Sequence, residues 1–459
     1  MINRAEKHLN YRADIDGLRA VAVLSVVIFH AFPAVMPGGF VGVDVFFVIS
    51  GFLISTIIFK EIDKGSFTFQ DFYARRIRRI FPALIVVSLF CYVTGWFLLF
   101  PDEFSQLGKH LFGGSAFISN FILINESGYF DNSAETKPLL HFWSLAIEEQ
   151  FYFIWPLLLV LFARNKKGFL RVVVAGFIIS FAICVYKTRL DPSTAFYLPY
   201  TRFWELLAGG GMAWSALYLS NTLNTRLGSK VNEILSFSGV LLLIFSFVFI
   251  SSKSNFPGFL ATLPVLAAIF IISSGPDALI NKFVLSNKVF VWIGKVSFPL
   301  YLWHWPILSF LRIVSGGTPS VWERCIAVAV SMFLAWLTLE CVEKRVRFRK
   351  GRVTIISLCS CMVIVGCLGA LSYKSGGFPS RASIEAYMAN RSQLIREPSI
   401  DDDCIKKMGG KPLFDYCRYS SANTSKNVIV FGDSHAHAAF PGIAKIMNEK
   451  GYDTILLAN

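Results

Sequence analysis

Asp14–Phe32, DIDGLRAVAVLSVVIFHAF, decides how this chain is read. It is apolar and close to the ~20 residues that cross a bilayer as a helix. Yet it carries Arg19 near its start and His30 near its end. At about 100° per residue, an eleven-residue spacing returns both side chains to nearly one azimuth, roughly 16 Å apart along the axis. Charged and titratable groups inside a membrane helix are costly to keep, which points to function. The plainer account has Arg19 snorkelling to one surface and His30 capping the helix at the other. Spacing alone leaves both readings standing.

The rest of the chain fits a membrane setting. Hydrophobic residues make up 54% of its 459 residues and charged residues only 16%, against about 25% charged in soluble domains. Eleven apolar spans are expected, near 15–33, 40–59, 80–100, 144–163, 170–186, 201–219, 234–251, 257–273, 291–311, 322–341 and 353–373. The net charge of +14 is explained by basic loops on the cytoplasmic side, and no nucleic-acid partner is called for. Those loops hold Arg4, Lys7 and Arg12; Lys60, Lys64 and Arg75–Arg79; Arg164, Lys166, Lys167 and Arg171; and Lys344–Arg352. Intervening loops are more acidic, with Asp102, Glu103, Glu126, Asp131 and Glu135. The expected topology has a cytoplasmic N-terminus, retained as an anchor, and a C-terminal region outside. Residues 103–124 are expected to lie as one helix along the outer interface.

The expected fold is an all-α polytopic bundle of about ten helices plus an eleventh linking helix, followed by the beginning of an α/β domain. Domain boundaries are placed at 1–345 for the bundle, 346–375 for the linking helix, 376–426 for a polar linker and 427–459 for the α/β part. There VIVF (428–431) reads as a strand, a helix follows from Ala438, and TILLA (454–458) reads as a second strand. Cys404 and Cys417, in the polar tail, can pair if that tail is outside the cytoplasm. The other cysteines read as small packing residues.

Six constellations bear on chemistry. The first is Arg19 with His30, whose imidazole titrates near neutrality and can take a hydroxyl proton. The second is RRIRR, in which Arg75 with Arg78, and Arg76 with Arg79, share helix faces. Guanidinium groups there hold phosphates by paired hydrogen bonds, or simply anchor a helix on the positive side. The third is HFWSLAIEEQFYF (141–153), offering His141, Ser144 and Glu148 either to a helix N-terminus or to a polar cavity beside His30. The fourth is His304 in YLWHWP, a packed core histidine or a catalyst. The fifth is Asp44, suited to pairing with a cation or orienting a histidine. The sixth is Ser434 in GDSH directly after a strand, exposed at a helix start as a nucleophile would be. No Asp-x-x-His pair follows it. No metal-spaced Cys/His cluster or phosphate loop is present, so no metal is expected.

Taken together, DGLRAVAVLSVVIFH (16–30), GGFVGVDVFFVISGFLI (38–54), FYARRIRRIFPAL (72–84), HFWSLAIEEQFYFIWP (141–156) and YLWHWP (301–306) resemble the acyltransferase 3 family of integral-membrane acyltransferases. GDSHA (432–436) resembles the first block of SGNH hydrolase-like domains. The combination is similar to bacterial fused proteins that O-acetylate surface polysaccharides such as lipopolysaccharide O-antigen. The resemblance implies an inner-membrane O-acetyltransferase using acetyl-CoA as donor and a polysaccharide or lipid-linked glycan as acceptor. It implies essential roles for Arg19 and His30, acetyl-CoA binding by Arg75, Arg76, Arg78 and Arg79, a role for Glu148, and Ser434 as the SGNH serine. The family's Glu-x-Pro meets Glu343-Lys344-Arg345 here, without the proline. The alternatives are a transporter or flippase of a lipid-linked sugar, which buried charge suits equally, and O-acetylation of a different envelope glycan such as peptidoglycan.

Overall fold

The computed structural model describes residues 11–126, 133–162, 166–219, 228–347, 349, 351–384, 399–410 and 413–459. Arg4, Lys7, Asp131, Arg164 and Lys350 lie outside the described residues, as do the side chains of Lys166 and Lys167. Two compact units are present, Met1–Ser383 and Ile384–Asn459.

The first unit is helical. Its principal helices are α1 (Ala13–Ala31), α2 (Gly42–Asp63), α3 (Phe69–Leu98), α4 (Pro101–Ser115), α5 (Ser119–Glu126), α6 (Phe142–Leu161), α7 (Lys166–Leu190), α8 (Phe203–Tyr218), α9 (Ser229–Phe249), α10 (Thr262–Ser274), α11 (Lys288–Ser315), α12 (Val321–Thr338) and α13 (Arg352–Lys374). Each of the eleven expected spans falls on one of them. Among the described residues, seven helices are long and apolar enough to cross a membrane. The exceptions among the eleven are informative. Helices α8 and α10 are short, with 16 and 13 residues. Helices α1 and α11 carry charged and imidazole groups that dilute their apolarity; Asp14 and His304 are buried, and Arg19 and His30 are half-buried. A polar membrane helix must sit in the middle, because lipid cannot satisfy it.

Small residues set the closest helix contacts. A Cβ on Gly51 of α2 would strike the Leu206 carbonyl of α8, and one on Gly209 of α8 would strike the Val48 carbonyl of α2. Helices α1 and α11 meet the same way, Gly294 lying against the Asp16 carbonyl.

Two expectations change. The Arg75–Arg79 run, grouped above with the basic loops, lies on a helix as its shared faces imply: α3 begins at Phe69, where the Thr68 hydroxyl accepts from the Asp71 amide at 3.1 Å and caps the helix. Residues 103–124 are not one helix either. Phe117 has a positive φ of 55°, which ends α4 and starts α5. At 15 residues α4 is about 22 Å long, too short for the ~30 Å hydrocarbon core. It packs on α13, with Gly108 against the Gly369 carbonyl. Beyond α13, Arg381 is buried and donates to the carbonyls of Trp96 (2.6 Å) and Leu99 (2.8 Å). That fixes the chain leaving α13 to the end of α3.

In the second unit, α14 (Asp402–Met408), β1 (Tyr416–Ser420), β2 (Asn427–Gly432), α15 (Ser434–Glu449) and β3 (Asp453–Ala458) form a three-stranded sheet ordered β1-β3-β2. The expected strand–helix–strand unit is β2–α15–β3, with β2 and β3 parallel. The stretch read as linker, 376–426, contributes more than expected. Strand β1 pairs antiparallel with β3 (Cys417 opposite Leu457), and a Cys404–Cys417 disulfide ties α14 to β1. Strand β1 was hidden because YCRYS alternates no clear apolar face.

Candidate active site

His30, near the end of α1, reaches across to α11. Its Nδ1 lies 3.0 Å from His304 Nε2, and the two rings stack 5.2 Å apart. The other nitrogen of His304, Nδ1, lies 3.2 Å from the Leu300 carbonyl. A carbonyl only accepts, so His304 Nδ1 carries a hydrogen. In the neutral ring Nε2 is then an acceptor, and His30 Nδ1–H must be the donor. That leaves His30 Nε2 with its lone pair, the form a general base needs. Trp305 packs edge-on to His30 at 4.4 Å and is held by its indole N–H donating to the Lys137 carbonyl at 2.8 Å. His141 is buried with its ring 5.8 Å from His304. Three histidines distant in sequence thus form one cluster.

Lys137 also belongs to a polar cluster at this end of the bundle. Glu126 receives Lys109 at 2.9 Å, His110 at 2.7 Å and Lys137 at 3.1 Å. Burial pushes the Glu126 carboxyl up. The hydrogen bond from His110 and the two ammonium groups outweigh it and hold the carboxyl well below the usual range.

A cavity of about 1560 Å³ extends into the bundle, lined from Val43 to Lys60 of α2. That is a rise of about 26 Å at 1.5 Å per residue, and the volume exceeds the ~300–1,000 Å³ of ordinary ligand pockets. One end is cationic, with Arg12, Arg19, Lys60, Arg76, Arg79, Lys295 and Arg347 on its walls. Arg76 pairs with Glu149 at 3.0 Å and lies over the Tyr152 ring. Glu343 lines the same end, in a π-helical turn that continues α12. Towards the other end Glu148 hydrogen-bonds Ser50, and Ser144 Oγ meets the Tyr301 hydroxyl at 2.6 Å. The phenol also donates to the His141 carbonyl at 3.1 Å.

The expected residues therefore divide. Arg76 and Arg79 face the cavity. Arg75 turns outward to Glu61, and Arg78 to the Arg349 carbonyl, because only one helix face can address an interior. Arg19 pairs with Asp16 at 3.3 Å and lines the cationic end, a helix length from His30. Asp44 orients no histidine: it pairs with Arg202 at 3.0 Å, which also meets Glu205 at 3.1 Å, all three fully buried. Ser434 is exposed at the start of α15, where Asp433 caps the His435 amide at 2.9 Å. Sequence reasoning missed Ser50, Tyr301, Arg202 and Glu205. Glu205 falls three residues after Arg202 inside an expected apolar span, a signal of the same kind as Arg19.

Comparison with known proteins adds the relationship. An acyltransferase domain model matches residues 12–340, and an SGNH domain model, of the kind fused to such domains, matches 401–459. Similar proteins include peptidoglycan O-acetyltransferase OatA of Listeria monocytogenes, 33% identical over 73% of this chain and 56% of the relative. Putative peptidoglycan O-acetyltransferase YrhL of Bacillus subtilis is 34% identical over 74% and 56%. Putative O-acetyltransferase SAS0844 of Staphylococcus aureus is 34% identical over 76% and 59%. The chain spans less than three fifths of the length of these relatives. No solved structure matches.

Proposed function

The chain belongs to the membrane acyltransferase family whose domain model spans residues 12–340, and from that premise we propose that it carries an acetyl group from acetyl-CoA to a glycan hydroxyl. The carrying observation is the cavity: cationic at one end, and reaching at the other the Ser144–Tyr301 pair that backs onto His30 and His304. The donor's phosphates lie among Arg19, Arg76 and Arg79, where guanidinium groups offer charge-assisted hydrogen bonds. Its long arm runs along α2, and its thioester approaches the histidines.

His30 Nε2 takes the proton of the acceptor hydroxyl as the oxygen attacks the thioester carbon. The C–S bond breaks, a C–O bond forms, and the proton passes to the departing thiolate. His304 is the positioning residue that fixes the tautomer. Glu148 faces the cavity and bears on how the arm is seated. The N-terminus lies in the cytoplasm and the C-terminal region on the far side of a bacterial inner membrane, which the loop charges support. The acceptor is a cell-envelope glycan. The names of two relatives favour peptidoglycan over lipopolysaccharide O-antigen. In a second route, the acetyl group passes first to Ser434, exposed at the start of α15, and from there to that acceptor.

The test compares wild type with His30→Ala at equal protein level. Thiol release from acetyl-CoA by the purified chain and O-acetyl content of cell-envelope glycan should both fall to background. Retention of both in His30→Ala removes the proposed base, and a chain that moves a lipid-linked sugar without cleaving acetyl-CoA is a transporter.

A further inference from the structure

We propose that the Tyr301 side chain is the partition between the cavity and the histidine cluster, and that it must swing aside for an acyl group to reach His30. Tyr301 and Ser144 line the cavity, whereas His30, His141 and His304 do not. The phenol ring lies 5.5 Å from the His141 ring and 5.6 Å from that of His304. Both histidines are almost fully buried, at 2% and 0% exposure. A group entering from the cationic end therefore meets the phenol before any imidazole.

The phenol is held shut by polar contacts rather than by fold alone. Its hydroxyl bridges α11 to α6 through Ser144 Oγ and the His141 carbonyl. Those bonds connect a side chain with two soft torsions to partners it can leave and regain. A closed phenol keeps cavity water from the buried imidazoles of His141 and His304, while His30 is half-buried. Tyr301 is thus a positioning residue. The inference rests on the proposed function only for the identity of what passes.

The test reads His304 directly. Purified full chain in detergent is treated with diethyl pyrocarbonate, and carbethoxylation of the His304 peptide is followed by mass spectrometry. Tyr301→Ala and Tyr301→Leu should label His304 severalfold faster than wild type, while Tyr301→Phe, which keeps the ring but loses the hydroxyl that holds it shut, should fall between them and wild type. Monodisperse elution screens out unfolded protein, and the leucine variant serves if the alanine variant fails. Equal labelling in wild type, Tyr301→Ala and Tyr301→Leu overturns the partition, as does full labelling of wild type. In the same variants thiol release from acetyl-CoA without acceptor should rise relative to glycan acetylation, an uncoupling that a merely structural tyrosine would not produce. Coenzyme A added to Tyr301→Ala separates the two proposals. Slower labelling supports the donor in the cavity; unchanged labelling counts against the donor, and the role of Tyr301 is still decided by the variant rates.

Discussion

His304→Ala isolates the hydrogen bond on which the proposed base depends. In wild type His30 Nδ1–H donates to His304 Nε2 at 3.0 Å, and the Leu300 carbonyl fixes the direction of that donation. Alanine removes the acceptor and leaves an interior N–H unpaired, a cost of about 1–3 kcal/mol. The ring then relieves that cost by turning or by moving its hydrogen to Nε2, and either change removes the lone pair from the reacting side. Partners that orient a functional histidine are typically worth about 10–100-fold, which at 1.36 kcal/mol per decade is about 1.4–2.7 kcal/mol of barrier. We therefore expect kcat for thiol release from acetyl-CoA, measured on the purified chain in proteoliposomes, to fall about 10–100-fold. KM should hold, since on the reading proposed above the donor's charged groups sit at the far end of the cavity. His304→Gln offers a carbonyl acceptor in place of Nε2 and should recover part of the loss. A folded His304→Ala protein with unchanged kcat, or one altered only in KM, would refute the tautomer argument.

Three further outcomes follow from the geometry. Arg79→Gln should weaken acetyl-CoA binding by about tenfold or more, the worth of one charge-assisted hydrogen bond, whereas Arg78→Gln, whose side chain faces away from the cavity, should leave it unchanged; calorimetric titration distinguishes them. Cys404→Ser with Cys417→Ser opens a loop with a separation of 13 residues and should destabilise the Ile384–Asn459 unit by about 3 kcal/mol on the chain-entropy model, read as faster proteolysis of that unit in the full chain and mimicked by dithiothreitol. Glu126 has its folded carboxyl pKa held down by His110 and the two lysines, so its contribution to stability is present above the unfolded pKa of about 4.3 and is lost as pH falls from there. Glu126→Gln should lower the melting temperature at pH 7 and shrink the wild-type drop between pH 6 and pH 3.

The spans were legible because apolar length is a one-dimensional property, and each expected span coincides with a helix. The cluster of His30, His141 and His304 was only half legible. Each histidine stood out as a polar group in an apolar run, but what brings His30 to His304 is the packing of α1 against α11, with Gly294 on the Asp16 carbonyl, and His141, just before α6, is tied in by the Tyr301 hydroxyl on its carbonyl. Tyr301 gave no signal, since a tyrosine in a membrane helix is unremarkable until its hydroxyl partner is known. Strand β1 was lost for a different reason: its pairing is with β3, some forty residues on, and nothing local in YCRYS requires it.

Arg19 and His30 show what azimuth omits. Equal azimuth puts both groups on one face of α1, but across an axial rise of about 16 Å the two interact weakly. The same rise suits a long substrate. A coenzyme A thioester carries its phosphates and its acyl carbon at opposite ends of a flexible arm, so the groups that grip it and the group that reacts with it must lie apart. On the reading proposed above, α1 works as a ruler, with Arg19 beside Asp16 at the cationic end and His30 beside His304 beyond the other. Separation also protects the chemistry. His30 in its neutral form is the useful base, and a guanidinium held at arm's length leaves the hydrogen bond that His30 donates to His304 as the dominant influence on it.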